Sequence, residues 1–306
     1  MKVLNQAIDD KWAMYQGDCV EVAKGLPDES VHYTIFSPPF SSLYTYSDSE
    51  RDMGNSKSDE EFNTHFSFLA KELFRIMKPG RLVSIHCMDI PAMKERDGYI
   101  GLKDFPADLR TMMQTAGFIY HGKNVIWKDP LIEATRTKAL GLMHKQIEKD
   151  SAMCRPGLPD YIVTMRKLGE NQERVAHPGG LKVFYGDDEP KQRGIEYSHN
   201  VFRRYASPIW MDINQTRTLN VAMARDERDE RHICPLQLDT IARCLELWSN
   251  PFDVVFSPFA GIASEGYESI KMERQFIGVE LKYSYYREAV RNLVKAVKET
   301  KKAKLF

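Results

Sequence analysis

The sequence lacks the features that identify several large classes of protein. Its 306 residues contain no run of 18 apolar residues, so no membrane-spanning helix is expected. The N-terminal residues carry no apolar segment, so no signal peptide is expected either. Net charge is also absent, because 43 Lys and Arg balance 43 Asp and Glu. This balance excludes a polybasic histone-like protein and an acidic disordered chain, but it leaves nucleic-acid binding open, since binding depends on where the charges lie.

Cysteine is scarce and poorly spaced for a structural role. The five cysteines are an odd number and form no Cys-x-x-Cys pair. They therefore argue against a disulfide framework and a zinc ribbon, and they predict a reducing cytoplasm and no bound metal. A Gly-x-Gly-x-x-Gly fingerprint is absent as well, which disfavours a nicotinamide-dependent dehydrogenase.

What the sequence does contain is a series of short apolar runs that alternate with helical patterns. Apolar residues at three- and four-residue spacing predict helices at 59–77, 235–248 and 285–300. Strands that alternate with helices predict an α/β fold with a mostly parallel sheet that is buried on both faces. The seven runs that predict strands are residues 12–17, 31–36, 81–87, 124–128, 161–167, 253–257 and 275–280.

The alternation stops between residues 169 and 231, where turn signals and charge runs replace it. Tyr, Arg and Asn are interleaved in this stretch, and they include Arg203, Arg204, Asn214 and Arg217. One interpretation is a long irregular insertion. The other is a recognition surface, because guanidinium and amide groups hydrogen-bond to phosphates and base edges.

The first candidate site directly follows the predicted strand at 31–36. It comprises Ser37, Pro38, Pro39 and Phe40. The two prolines fix the backbone and end the strand, at the sheet edge where ligands of open α/β folds bind. The Ser37 hydroxyl and the Pro38 carbonyl would accept the hydrogens of an exocyclic amino group, and Phe40 would stack on its planar ring. The alternative is a proline-stiffened turn that caps the strand.

The second candidate site follows the predicted strand at 253–257. Gly261 lets a ligand approach the backbone closely. The next strand ends in the carboxylate of Glu280, which can bind a ribose diol. Because the glycine fingerprint is missing, a nucleoside without a pyrophosphate fits this pair better than NAD. The alternative is an ordinary βαβ unit.

Together, these sites resemble those of the beta-class DNA amino-methyltransferases that use S-adenosylmethionine. Residues 37–40 resemble the catalytic [DNS]-P-P-[YFW] motif of that family, and residues 257–261 (Ser-Pro-Phe-Ala-Gly) resemble its D-P-F-x-G cofactor loop. The catalytic motif precedes the cofactor loop, which is the permuted order of the beta class. The segments 15–31, 73–81 and 235–238 match further motifs of the family.

The resemblance implies a Rossmann-like class I methyltransferase fold that is circularly permuted, with a mostly parallel seven-stranded sheet and helices on both faces. Residues 1–168 and 232–306 are expected to form the catalytic and cofactor domain, and 169–231 an inserted target-recognition region. The cofactor contacts that it implies are Asp18, Pro235, Ser257, Phe259, Ala260, Gly261, Ser264 and Glu280. The DNA contacts expected are Tyr44, Tyr46, Arg203, Arg204, Asn214 and Arg217.

Two residues depart from the family pattern. Ser257 stands where the family usually has Asp, and Ala263 stands at the second glycine of the cofactor loop. These departures are expected either to reduce cofactor affinity or to leave more of the cofactor contact to Asp18 and Glu280. They also motivate an alternative in which the protein is a catalytically weak DNA-binding subunit. RNA as the substrate of the same chemistry is a further alternative.

The resemblance also implies a mechanism in which the target base is flipped out of duplex DNA. Ser37 is similar to the first motif residue of enzymes that methylate cytosine at N4, so N4 of cytosine is preferred over N6 of adenine. The sequence has no Pro-Cys dipeptide, which a cytosine ring-carbon methyltransferase would need. His86, near the end of a predicted strand, is interpreted as a core histidine rather than a catalytic one.

Partners and location follow from the same resemblance. Double-stranded DNA is the expected partner, and a homodimer and a cognate restriction endonuclease are further expectations. The protein is expected to act in the cytoplasm of a bacterium, at the nucleoid, whether the host or a phage encodes it.

Overall fold

The computed structural model describes residues 3–40, 53–56, 58–92, 94–137, 142, 144–177, 181, 195–220 and 235–303. Within these ranges the strands are β1 (Asn5–Asp9), β2 (Trp12–Gln16), β3 (Val31–Phe36), β4 (Met77–Cys87), β5 (Ile90–Ala92), β6 (Gly101–Lys103), β7 (Ile119–Ile126), β8 (Asp160–Arg166), β9 (Ile209–Trp210), β10 (Val254–Ser257) and β11 (Gln275–Glu280). The α-helices are α1 (Cys19–Lys24), α2 (Asp59–Ile76), α3 (Lys94–Asp97), α4 (Phe105–Thr115), α5 (Pro130–Thr137), α6 (Gln146–Lys149), α7 (Ile195–Ala206), α8 (Leu238–Trp248), α9 (Ser264–Lys271) and α10 (Tyr283–Ala303).

Nine of these strands form one sheet, in the order β1-β2-β11-β10-β3-β4-β8-β7-β9. The strands from β2 to β4 in this order are parallel to one another, whereas β8 runs antiparallel between β4 and β7. A strand is present at each of the seven expected positions, and the mostly parallel sheet is confirmed. β1 and β9 extend it at its edges. Neither was expected, because β1 is largely exposed and β9 has two residues, so both lack the apolar run of a buried strand.

The junction between α2 and β4 differs from the expectation. The helix ends at Ile76, but the strand begins at once, at Met77 rather than at residue 81. The pairing of β4 with β3 shifts register after Met77, so the following residues bulge out of the ladder. Gly80 permits this bulge, because its φ is +73° and a Cβ there would lie 2.7 Å from the backbone nitrogen of Asn171. The predicted stop signal, residues 78–80, therefore follows the end of the helix directly, but these residues belong to a strand and not to a loop.

Helices cover both faces of the sheet through apolar stripes. On one face, α1, α2 and α4 pack together, and Phe62, Phe66 and Leu69 of α2 are fully buried. On the other face, α8, α9 and α10 pack together around Ile241 and Leu245. This arrangement confirms a sheet buried on both faces. Among the described residues, no helix combines the length and the apolar composition that crossing a membrane requires.

The strand order brings the end of the chain into the middle of the sheet. β10 and β11 lie between β2 and β3, although they follow every other strand in the sequence. From β10 the chain crosses to β11 on one side, and from β3 it crosses to β4 on the other side. The connections thus diverge between β10 and β3, and such a divergence opens a crevice at the carboxyl ends of the two strands.

The described part of the stretch 169–231 is partly built into this sheet. β9 pairs with β7 at the sheet edge, and Trp210 is buried there. The backbone N–H of Leu238, at the start of α8, donates to the carbonyl of Arg217 at 2.9 Å. Residues 209–217 therefore pack against β7 and the start of α8, while 178–180, 182–194 and 221–234 lie outside the described residues.

A buried ion pair at the amino end of the sheet gives a stability prediction. Arg81, which is 2% exposed, pairs with the buried Asp253, and its Nε donates to the carbonyl of His32 at 2.9 Å. Arg81→Met would leave the Asp253 carboxylate buried without its cation, so we expect a loss of about 3–5 kcal/mol of unfolding free energy in urea titrations. The control Lys295→Met removes an exposed pair with Glu299, and its expected cost is below about 0.5 kcal/mol. Equal costs for the two variants would contradict this assignment.

Candidate active site

The two candidate loops lie side by side at the carboxyl edge of the sheet. β3 and β10 are adjacent parallel strands, with Tyr33 opposite Val255 and Thr34 opposite Phe256. The rings of Phe36 and Phe259 pack with their centroids 5.7 Å apart. The stretches 37–40 and 257–261 therefore begin at neighbouring strand ends, at the crevice that the topology creates.

Ser37 lies at the base of the first loop, and its hydroxyl is already engaged by the protein. Its Oγ lies 3.1 Å from Nδ1 of His86 and 3.4 Å from the carbonyl oxygen of the same residue. Pro38 and Pro39 are buried and hold the turn, whereas Phe40 is half-buried and packs against Phe105 at a centroid distance of 6.1 Å. The loop therefore presents a hydroxyl and an aromatic ring on a rigid backbone.

Behind Ser37 lies a group of polar residues of which the sequence analysis named only His86. Nε2 of His86 lies 3.3 Å from Oδ2 of Asp160, and Oδ1 of Asp160 lies 2.6 Å from Nζ of Lys128. Burial alone would raise the pKa of Asp160, but attraction to His86 and Lys128 and their hydrogen bonds outweigh it and lower the pKa. His86 is buried, as expected for a core histidine, yet its ring faces the candidate catalytic hydroxyl.

The second loop is tied to the end of β11. The backbone N–H of Gly261 donates to Oε2 of Glu280 at 2.9 Å, and the N–H of Ala260 donates to the carbonyl of Val279 at 2.8 Å. Gly261 has a φ of +53°, and a Cβ built there would meet no atom within 4 Å. The glycine thus leaves open space above the loop. Ala263, at the second glycine position, also adopts a positive φ, of +64°.

Two buried hydroxyls and a second carboxylate lie at this corner. The hydroxyls of Ser257 and Ser264 are buried and have no hydrogen-bond partner among the described residues. Asp18 caps α1 by accepting the backbone N–H groups of Val20 and Glu21, and both bonds go to Oδ1, which leaves Oδ2 for another donor. Unpaired buried hydroxyls cost free energy unless a ligand satisfies them, so these residues fit a polar nucleoside cofactor.

Three other residues that the sequence assigned to cofactor or DNA binding are not part of the two loops, namely Pro235, Tyr44 and Tyr46. Pro235 is half-buried, three residues before the start of α8 rather than within the helix. Tyr44 and Tyr46 lie outside the described residues, as does the segment 232–234.

The four polar residues expected to contact DNA occupy two kinds of position. Arg217 pairs with Asp239 and, at 3.2 Å, with Glu268, so it joins the insertion to α8 and α9. Arg204 pairs with Asp212. Arg203 and Asn214 are exposed. The first two arginines therefore have structural ion pairs, whereas the last two residues face solvent.

Comparison with known proteins identifies the family. The model of the N6/N4 DNA methylase family, described as DNA methylase, matches residues 31–291. This match spans most of the chain, and the protein belongs to that family. None of the curated proteins compared matches the chain.

Solved structures show the fold. The PvuII DNA methyltransferase, which is described as cytosine-N4-specific, superposes with a TM-score of 0.63 at 15% identity, over 98% of this chain and 95% of that one. A protein from Thermus thermophilus, described as a candidate DNA modification methylase and solved with S-adenosyl-L-methionine, gives a TM-score of 0.60 at 22% identity, over 93% and 95% of the two chains. The fold is that of the class I methyltransferases.

The lowered pKa of Asp160 leads to a pH prediction. Because its folded-state pKa lies below the unfolded value of about 3.9, the ionised carboxylate stabilises the fold above that pH, and this contribution is lost as the pH falls. The difference in unfolding free energy between the wild type and Asp160→Asn should therefore shrink as the pH falls from about 7 to about 3 in denaturant titrations.

Glu265 provides a control of opposite sign. Burial raises the pKa of this carboxyl to about 8, so its ionisation opposes folding. The wild type should lose stability relative to Glu265→Gln as the pH rises from about 4 to about 8. If both variants show the same pH trend, the assignment of the two environments is wrong.

Proposed function

We propose that this protein transfers a methyl group from S-adenosylmethionine to the exocyclic amino group of a base in double-stranded DNA. The observation that carries the proposal is the adjacency of β3 and β10, which puts the loop 37–40 beside the loop 257–261. Membership of the DNA methylase family supports the reaction class. The Thermus thermophilus protein with bound S-adenosyl-L-methionine supports the choice of cofactor.

The loop 257–261, together with Glu280, Asp18 and Ser264, is proposed to hold the nucleoside and the methionine part of S-adenosylmethionine. Glu280 would accept ribose hydroxyls while it keeps its bond to Gly261, because each carboxylate oxygen accepts more than one hydrogen. The buried hydroxyls of Ser257 and Ser264 would gain their missing partners. S-adenosylmethionine supplies an electrophilic methyl group on a positively charged sulfur. The remaining proposed contacts come from Asp18, Pro235, Phe259 and Ala260.

The base is proposed to enter the crevice flipped out of the duplex, because its amino group is otherwise inaccessible in the stack. The Ser37 hydroxyl and the Pro38 carbonyl would accept the two amino hydrogens, and Phe40 would stack on the ring. Pro39 keeps this backbone rigid. Positioning and preorganised polar groups account for the rate without a covalent intermediate on the protein.

We favour cytosine N4 over adenine N6 as the methylated atom. Ser37 is a short, neutral acceptor, and cytosine is the smaller ring. The cytosine-N4-specific PvuII methyltransferase has the same fold, which is consistent with this choice.

The DNA itself is proposed to contact the exposed Arg203 and Asn214, together with Tyr44 and Tyr46 near the catalytic loop. Arg204 and Arg217 would contribute by holding the insertion against the catalytic domain as well as by their charge. A homodimer and a partner endonuclease stay predictions from family resemblance.

The first test identifies the product. Duplex DNA incubated with the protein and isotope-labelled S-adenosylmethionine should yield labelled 4-methylcytosine when the nucleosides are separated by mass spectrometry. Labelled 6-methyladenine would instead assign adenine as the target. A parallel reaction uses RNA in place of DNA, and label in RNA alone would support the RNA alternative. No label in either reaction, together with no cofactor binding, would support the non-catalytic subunit.

The second test addresses the two sides of the site. Ser37→Ala should lower turnover on DNA by about 100-fold, because it removes a preorganised acceptor, while the dissociation constant of the cofactor stays unchanged. Glu280→Gln should instead raise the dissociation constant of the cofactor by about tenfold or more, because a charged hydrogen-bond partner is lost. The matched control Glu288→Gln, on α10, should change neither quantity. Full turnover in a Ser37→Ala, Phe40→Ala double variant would exclude this site.

A further inference from the structure

The polar residues behind Ser37 form a continuous chain from the crevice into the protein. Ser37 Oγ is 3.1 Å from Nδ1 of His86, Nε2 of His86 is 3.3 Å from Asp160, and Asp160 is 2.6 Å from Lys128. Three strands supply it, because His86 is on β4, Asp160 begins β8, and Lys128 follows the end of β7. These strands are neighbours in the sheet, so the chain runs along its carboxyl edge.

The ionised state of Asp160 determines how the hydrogens in this chain are arranged. Its carboxylate is 4% exposed and lies between the Lys128 ammonium and the His86 ring. An ionised carboxylate can only accept hydrogen bonds, so the nitrogen of His86 that faces it must carry a proton. That nitrogen, Nε2, is buried and makes no hydrogen bond of regular geometry to the described residues, so Asp160 Oδ2, at 3.3 Å, is the acceptor that lies nearest to it. In the tautomer that carries its proton on Nε2, Nδ1 keeps a lone pair, and this atom faces Ser37.

The lone pair on Nδ1 in turn orients the Ser37 hydroxyl. A hydroxyl has one hydrogen to donate and two lone pairs that accept. The hydrogen has two acceptors on His86, Nδ1 at 3.1 Å and the carbonyl oxygen at 3.4 Å, and a lone pair on Nδ1 favours the shorter contact. With the hydrogen at Nδ1, both lone pairs of the hydroxyl are left for another donor. An exocyclic amino group offers hydrogens, so the hydroxyl is held in the orientation that such a substrate requires.

We infer that His86 is a positioning residue that, together with Asp160, holds the Ser37 hydroxyl as a fixed hydrogen-bond acceptor for the substrate amino group. This inference rests on the proposed function and adds two residues to its machinery. His86 acts through Ser37 and Asp160 acts through His86, so no proton has to move along the chain. The benefit is preorganisation, because the hydroxyl would otherwise rotate and present its hydrogen to the substrate.

The opposite end of the sheet provides a matched control. There, His32 on β3 hydrogen-bonds to Glu173 at 2.8 Å, and Glu173 also pairs with Lys78. The residue types are the same as in the chain behind Ser37, namely a histidine, a carboxylate and a lysine. This cluster lies at the amino end of β3, away from both loops, so altering it should leave methyl transfer unchanged.

The decisive variant is Asp160→Asn. Its side-chain amide can donate to Nε2, which favours the tautomer with the proton on Nδ1. Nδ1 then donates to the Ser37 oxygen and occupies a lone pair that the substrate amino group would use, while the hydroxyl hydrogen is no longer held at Nδ1. We expect kcat to fall by about 100-fold or more, as when a histidine is held in the wrong tautomer, while KM for DNA and for the cofactor stays within about twofold. The control Glu173→Gln should retain the wild-type kcat and KM. Because Asp160→Asn is expected to lose stability in either case, kcat is expressed per folded molecule, with the folded fraction measured by circular dichroism. A purely structural role would leave this corrected kcat at the wild-type value.

A second measurement does not depend on activity. Nitrogen-15 NMR of the histidine rings, with the His86 signals assigned by their loss in His86→Gln, should show Nε2 protonated and Nδ1 unprotonated in the wild type. The opposite tautomer, or a ring protonated on both nitrogens at neutral pH, would overturn the inference even if Asp160→Asn failed to fold.

The two proposals fail in different ways. If the wild type methylates DNA and Asp160→Asn has an unchanged kcat, the inference is wrong and the proposed function stands. If the wild type methylates no nucleic acid, the proposed function is wrong, while the NMR spectrum still decides how the Ser37 hydroxyl is held.

Discussion

The parallel pairing of β3 with β10 is the contact from which the site is built. Only two residue pairs define it, Tyr33 with Val255 and Thr34 with Phe256, yet it sets where two loops from distant parts of the sequence emerge. A slip of one residue would reverse which side chains face each helical layer, so burial on both faces fixes the register. The packing of Phe36 on Phe259 continues this contact beyond the strands and into the two loops.

Two clusters of the same residue types, one at each end of the sheet, differ in burial and in what they contact. A histidine, a carboxylate and a lysine occur together at both ends, as His86, Asp160 and Lys128 and as His32, Glu173 and Lys78. At the carboxyl end the carboxylate is buried and the histidine faces a hydroxyl in the crevice. At the amino end Glu173 is exposed. Arg81, which pairs with Asp253, also donates a hydrogen bond to the carbonyl oxygen of Glu173. Position in an α/β sheet, more than composition, separates a functional cluster from a structural one.

The two departures from the family pattern are accommodated by the local structure. Ala263 takes the left-handed conformation that a glycine would adopt freely, at a cost of about 1–2 kcal/mol. Ser257 is completely buried, and so is Glu265 at the start of α9, where burial and the nearby Glu280 raise its pKa to about 8. An aspartate in place of Ser257 would add a further buried charge to this corner. The neutral hydroxyl leaves the negative charge at the ligand side to Glu280 and Asp18.

Local patterns were sufficient to predict most of the fold. The seven central strands, α2, α8 and α10 follow from apolar periodicity, and the two loops follow from proline and glycine placed directly after strands. The edge strands β1 and β9 were missed because short or exposed strands carry no such pattern. The early start of β4 was missed because Lys78, Pro79 and Gly80 signal the end of a helix, while a bulge keeps them in the sheet.

The order of residues along the chain specifies which side chains follow each strand, and it is the basis for predicting that Ser37 and Gly261 belong to one site. Which residues lie behind this site depends on how the strands are arranged in the sheet. His86, Asp160 and Lys128 come from three strands whose order and direction cannot be derived from periodicity, because β8 enters the sheet antiparallel between two parallel strands. That reversal brings the first residue of β8, rather than its last, to the carboxyl edge, and so places a buried carboxylate within reach of His86.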